Sequence, residues 1–192
     1  MARQLGMEED FMFVSLLKSC AKTKDLNKGT KLHSDLLRRG ALEKNPYLVS
    51  ALITMYAKCG VLEKAQKVLE SIPDQHVVYW NALLSGYIQN GQFQEALNCF
   101  EQMQREGLLP NNVTFICTLK ACGSIQAIHK GQKIHADIVI EEYEDHPLIN
   151  TALIDMYGKC SWFREARFIH DSLNDKSVIS WTSLIAGYAE HG

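Results

Sequence analysis

Apolar residues along this chain recur at three- and four-residue spacing rather than at alternate positions. Trp80, Leu83, Leu84 and Tyr87 form one such stripe, Asn90-Gly91 interrupts it, and Ala96, Leu97, Phe100 and Met103 form the next. That spacing puts the apolar set on one face of an α-helix, and the break between two stripes predicts a helical hairpin. Basic residues followed by glycine, as in Arg38-Arg39-Gly40 and Arg105-Glu106-Gly107, fit helix C-termini. No stretch alternates with period two for long enough to predict a sheet.

The pattern then returns with a lag of about a hundred residues. Leu17-Lys18-Ser19-Cys20 recurs as Leu119-Lys120-Ala121-Cys122, and Lys31-Leu32-His33 as Lys133-Ile134-His135. The run from Ala51 to Cys59 recurs from Ala152 to Cys160, and Trp80-Asn81-Ala82-Leu83 as Trp181-Thr182-Ser183-Leu184. Subdivided, the chain reads as an N-terminal extension (1–9), five hairpin units (10–45, 46–76, 77–111, 112–146, 147–177) and a partial unit (178–192), in a long–short–standard cycle. One hairpin cannot bury its own apolar stripe, so neighbouring units must stack, which predicts an all-α solenoid. A hydrophobic content of 46% supplies a continuous core for it.

The net charge of −2 argues against a binder that works by bulk positive charge, and leaves a local groove open. No run of eighteen apolar residues exists to span a membrane. Glu8, Glu9 and Asp10 near the start do not fit an organelle transit peptide, so no address is visible in the chain.

The six cysteines form no Cys-x-x-Cys pair. Cys20 and Cys122 share one slot, as do Cys59 and Cys160, too many hairpins apart for a disulfide; all six read as small hydrophobes in a reducing compartment. His33 and His135 also share a slot and read as histidines packed between hairpins, not as metal ligands. Trp80 and Trp181 read as core. A His-x-Glu with a Cys-x-x-Cys, a Gly-rich phosphate loop and a Gly-x-Ser-x-Gly elbow are all missing. The expectation is a non-enzymatic chain with no catalytic residues, no cofactor and no metal.

The openings Val77-Val78-Tyr79-Trp80-Asn81-Ala82-Leu83-Leu84-Ser85-Gly86-Tyr87 and Val178-Ile179-Ser180-Trp181-Thr182-Ser183-Leu184-Ile185-Ala186-Gly187-Tyr188 resemble those of pentatricopeptide repeats. The ending Gly107-Leu108-Leu109-Pro110-Asn111 is similar to the same family. Met55-Tyr56-Ala57-Lys58-Cys59-Gly60 and Met156-Tyr157-Gly158-Lys159-Cys160 resemble its short motif. Leu17-Lys18-Ser19-Cys20 and Gly131-Gln132-Lys133-Ile134-His135 resemble its long motif. The cycle of three motif types resembles the plant PLS subclass linked to RNA editing.

The resemblance implies a right-handed superhelical α-solenoid that binds single-stranded RNA at one base per unit. It places base-reading residues at the fifth and last positions of each unit. These are Val14 with Asn45, Ser50 with His76, Asn81 with Asn111, Ile116 with His146, Thr151 with Ser177, and Thr182 alone. Second-position residues flank the bases: Phe11, Tyr47, Val78, Val113, Leu148 and Ile179. Asn81 with Asn111 resembles a pyrimidine-reading pair. His76 and Ser177 depart from the usual last residue, and Val14 and Ile116 cannot hydrogen-bond a base. Asn81, Ser50 and Thr151 are equally suited to capping their helices.

About three readable bases at roughly 1–3 kcal/mol each, less the costs of association, imply micromolar or weaker RNA affinity for this chain. The function implied is an RNA-binding module of an organelle RNA-processing factor, in a mitochondrion or chloroplast. An editing deaminase or another protein of the family would act in trans, and no membrane or small-molecule substrate is implied. The alternative is a protein–protein scaffold, or a repeat fragment with degenerate RNA readout. A lysine and arginine stripe beside the readers favours RNA.

Overall fold

The computed structural model describes residues 2–42, 45–143, 145–173 and 176–191, and every regular element among them is an α-helix. In order these are α1 (Ala2–Thr23), α2 (Leu26–Arg39), α3 (Pro46–Lys58), α4 (Leu62–Ser71), α5 (Val77–Gln89), α6 (Phe93–Arg105), α7 (Asn112–Ser124), α8 (Ile128–Ile140), α9 (Pro147–Lys159), α10 (Phe163–Ser172) and α11 (Val178–His191). The chain forms two compact units, Met1–Gln92 with α1–α5 and Phe93–Gly192 with α6–α11. None of these helices is long and apolar enough to cross a membrane.

Each unit repeats one packing scheme. In the first, α3 packs against α1, α2, α4 and α5; in the second, α9 packs against α7, α8, α10 and α11. The first helix of a hairpin thus has neighbours on several sides, and its sequence matches. α3 buries Leu48, Val49, Ala51, Leu52, Ile53, Met55, Tyr56 and Ala57 around most of its circumference. The second helix covers one flank only, so α4 buries the single stripe Leu62, Ala65, Val68 and Leu69. Each large side chain in these stripes contributes roughly 1.5–3 kcal/mol through burial.

The turns end the helices by a shared device. Gly40 closes α2 at φ 58°, its N–H bonding Leu36 and Leu37 carbonyls, and Gly60 follows α3 at φ 77°. Glu142 and Ser161 occupy the corresponding places after α8 and α9, with φ 60° and 63°. A side chain in this left-handed region costs roughly 1–2 kcal/mol that glycine avoids. Glu142→Gly and Ser161→Gly are therefore each expected to raise stability by about 1 kcal/mol in urea unfolding.

Adjacent hairpins are also joined by a recurring polar contact. His33 Nδ1 lies 2.8 Å from Tyr56 Oη across α2 and α3, and His135 Nδ1 lies 2.9 Å from Tyr157 Oη across α8 and α9. Each imidazole meets its phenol edge-on. Burial lowers the pKa of both histidines, with Lys64 adding to the effect at His33. Burial also raises both tyrosine pKa values, so the phenols stay protonated.

For a group whose pKa is lower in the folded chain, the unfolded chain binds the proton first on acidification. The stability this contributes is intact above the unfolded value near 6.5 and is lost as pH falls towards the folded value. The melting temperature is expected to drop between about pH 7.5 and 5.5, and the drop to shrink in a His33→Gln/His135→Gln variant.

One core assignment needs correction. Trp80 is 3% exposed, but Trp181 is 48% exposed. Trp181 belongs to α11, which among the described helices packs against α9 and α10. Its other face is uncovered, and Val178, Ile179, Ile185 and Tyr188 are exposed with it. The indole of Trp181 still meets the buried His170 edge-on, with centroids 4.3 Å apart. All six cysteines are free thiols. Burial pushes Cys99 and Cys122 up to about 12, so both remain neutral in the core.

Candidate nucleic-acid interface

Phe11 in α1 and the second residues of α3, α5, α7, α9 and α11 share one property. Phe11, Tyr47, Val78, Val113, Leu148 and Ile179 are apolar yet between 42% and 73% exposed. Neighbouring apolar residues such as Phe13, Leu48, Tyr79, Phe115 and Ile149 are buried. Core formation therefore does not account for the second positions. Apolar side chains held in water at a fixed register are available to a planar partner.

In the first unit two of them shape a cavity. Phe11 and Tyr47, the two most exposed, line a space of about 470 Å³ with Asp10, Val14, Lys18, Asn45 and Pro46. The volume lies in the range of small-molecule sites. Asn45 Nδ2 donates to Asp10 Oδ2 at 2.8 Å, and Asn45 Oδ1 accepts from the Tyr47 N–H at 3.0 Å. The asparagine amide is thereby fixed at the cavity edge. In the second unit Asn112 Nδ2 and His146 Nε2, 3.2 Å apart, make the corresponding contact.

The last positions turn out to be the helix caps. Asn45, His76 and Asn111 accept backbone N–H groups at the starts of α3, α5 and α7, and Asn111 forms a capping box with Thr114. Ser177 Oγ accepts the Ser180 N–H at 3.2 Å. His146 sits at the cap of α9 without a capping bond. The sequence carried the signal in Asn45-Pro46 and His146-Pro147, since proline favours the first position of a helix. The caps thus fall at the last positions and not at the fifth positions Ser50, Asn81 and Thr151.

The fifth positions divide. Ser50 Oγ, Thr151 Oγ1 and Thr182 Oγ1 donate to the carbonyls of Tyr47, Pro147 and Val178, at 3.2, 2.9 and 2.7 Å. None caps a helix. With its proton committed, each hydroxyl keeps acceptor capacity for a donor on a partner. Val14 and Ile116 are partly exposed.

Asn81 is only 8% exposed, against the expectation of an open polar tip. The cause is α5 itself, which buries Tyr79, Trp80, Asn81, Leu83, Leu84, Gly86 and Tyr87 and so is covered over more than half of its circumference. A carboxylate there would be poorly solvated, so Asn81→Asp is expected to cost about 1–3 kcal/mol in thermal unfolding, where a freely exposed asparagine would cost almost nothing.

Lysines accompany the fifth positions along the first helices. Lys18 follows Val14 by four residues and Lys120 follows Ile116 likewise, which keeps each within about 40° of that residue's face. Lys22, Lys58 and Lys159 lie eight residues after Val14, Ser50 and Thr151, within about 80°. Lys159 is held by Asp155 at 2.8 Å, while Lys18, Lys22, Lys58 and Lys120 are exposed. Among the described residues no group of three or more His, Cys, Asp or Glu side chains converges to hold a metal ion.

Models of the PPR repeat match residues 11–40, 47–77, 151–178 and 179–192, and a model of the PPR repeat family matches 75–124. The chain belongs to the pentatricopeptide repeat (PPR) family. It is similar to a mitochondrial pentatricopeptide repeat-containing protein of Arabidopsis thaliana, 36% identical over 183 residues, or 95% of this chain and 18% of that protein. A chloroplastic one from the same plant is 33% identical over 184 residues, or 96% of this chain and 22% of its own length. The chain thus spans about a fifth of these two PPR relatives.

Among solved structures, the PPR protein PPR10 from maize is similar at a TM-score of 0.65 and 21% identity, covering 93% of this chain and 25% of PPR10. A second structure of PPR10, in complex with an 18-nt psaJ RNA element, is similar at a TM-score of 0.60 and 18% identity, covering 85% of this chain and 25% of PPR10. At that identity the likeness establishes a shared PPR fold.

Proposed function

We propose that this chain is a single-stranded RNA-binding module of the PLS type, part of an organelle RNA-processing factor concerned with editing, with no chemistry of its own. The observation that carries this reading is the exposure of an apolar second residue in every hairpin. Bases unstacked from a single strand have two apolar faces to cover, and side chains at this spacing cover them. The long–short–standard cycle supports the PLS assignment. Relatives named mitochondrial or chloroplastic support an organelle. The exposed lysines on the reader helices support RNA, whereas an acidic or apolar groove there would favour a protein partner.

A fluorescence anisotropy titration tests it, using labelled single-stranded RNA with an RNA duplex as control. The expected affinity is micromolar or weaker, falling with salt at a log–log slope of about −0.7 per phosphate contacted. Duplex RNA buries its base faces and should bind less well. Equal affinity for the duplex, or no binding to the single strand, would overturn the reading, and nanomolar sequence-specific binding would overturn the affinity argument.

A further inference from the structure

The two long units lack a polar fifth residue, and the structure places a lysine where it makes good the loss. Val14 and Lys18 both line the cavity between Phe11 and Tyr47. Lys18 is one helical turn beyond Val14 on the same face, is exposed, and makes no ion pair among the described residues. Among the described residues that line the cavity the one carboxylate, Asp10, lies eight residues before Lys18, about 12 Å along α1, and accepts a hydrogen bond from Asn45. The Lys18 ammonium is therefore a charge without an ion-pair partner among the described residues, at an aromatic-walled slot.

The arrangement recurs and is selective. In the second unit of the chain Ile116 is followed one turn later by the exposed Lys120. Where the fifth residue is polar the residue one turn on is never lysine: Ser50 precedes Thr54, Asn81 precedes Ser85, Thr151 precedes Asp155 and Thr182 precedes Ala186. Aliphatic fifth residue and lysine thus occur together or not at all within this chain.

We propose that Lys18, and Lys120 in the same role, are phosphate-anchoring residues that make the long units sequence-blind. A base enters between Phe11 and Tyr47 and rests against Val14, which reads no edge. The ammonium, a strongly hydrated point charge on a flexible stem, contacts the phosphate of the same nucleotide. These units then supply stacking and charge, and leave base choice to the others. The inference rests on the RNA-binding reading.

The test uses the whole 192-residue chain and labelled ten-nucleotide oligo(U), oligo(C) and oligo(A), each titrated at several salt concentrations. Lys18→Met keeps the aliphatic stem and removes the charge. It is expected to weaken binding of all three RNAs by a similar factor, roughly three- to tenfold at low salt, and to flatten the salt slope by about 0.7. Lys18→Arg is expected to restore both. Circular dichroism checks that the variants remain folded.

If the wild-type chain binds and Lys18→Met changes neither affinity nor slope, the anchor is wrong while RNA binding stands. A loss confined to one RNA with an unchanged slope would mean that Lys18 reads a base, and would also overturn the proposal. If the wild-type chain binds none of the three, the RNA reading itself fails and the anchor with it.

Discussion

Gly86→Leu is expected to lower the melting temperature by about 6–12 °C, the largest effect of any single substitution considered. A β-carbon on Gly86 would stand 2.5 Å from the β-carbon of Ala57 and 3.2 Å from Leu62 Cδ2. The Ala57 methyl is fixed to its backbone and cannot rotate away, so α3 and α5 must move apart. Overpacking a tight core costs typically about 1–3 kcal/mol, and leucine adds four heavy atoms, which puts this case at about 3 kcal/mol or more. At roughly 2–4 °C per kcal/mol for a chain of this size the stated drop follows.

Gly29→Ala is the control. Its β-carbon would meet the thioether of Met55, the far end of a flexible side chain. Methionine repacks at small cost, and alanine gains about 1 kcal/mol of helix propensity over glycine, so the melting temperature should move little. A Gly86→Leu variant that melts with the wild type would show that the two helices do not approach so closely.

The second large effect concerns binding. Phe11→Ala and Tyr47→Ala together remove both aromatic walls of the first-unit cavity. Loss of a stacking aromatic costs about 1–3 kcal/mol per base, so single-stranded RNA affinity should fall about tenfold or more, since 1.4 kcal/mol is one decade. Stability should hold, because both rings are largely exposed in the free chain. A matched loss of stability would reveal them as core residues, and an unchanged affinity would remove the base-stacking role from this slot.

Much of this molecule was legible from its residues, and the losses have particular causes. The stripes Trp80, Leu83, Leu84, Tyr87 and Ala96, Leu97, Phe100, Met103 fall on α5 and α6 as their spacing implied, because a helical period is a local property. The turn glycines Gly40 and Gly107 take positive φ for the same local reason. Trp181 and Asn81 went the other way. Both share the helical register of residues whose exposure it implied, but exposure depends on what lies beside a helix. α11 leaves the face that carries Trp181 open, while α5 buries Asn81 on the same broad face as Tyr79, Trp80, Leu83 and Leu84.

The His33–Tyr56 and His135–Tyr157 contacts were out of reach from spacing alone. Each joins residues more than twenty positions apart, and the repeat showed only that the four residues recur, not that they meet. The capping role of Asn45, His76 and Asn111 was local and could have been read, most easily from the proline after Asn45.

The sequence by itself determined a helical repeat protein of the PPR family, because helix period, turn chemistry and motif order are all written within a few dozen residues. Only the tertiary structure decided which polar side chains stay open, which apolar ones remain wet, and that Phe11, Val14, Lys18 and Tyr47 border a single cavity. Those outcomes depend on how one helix lies against the next, and that placement is set by side-chain volume across the contact, as where Gly86 meets Ala57.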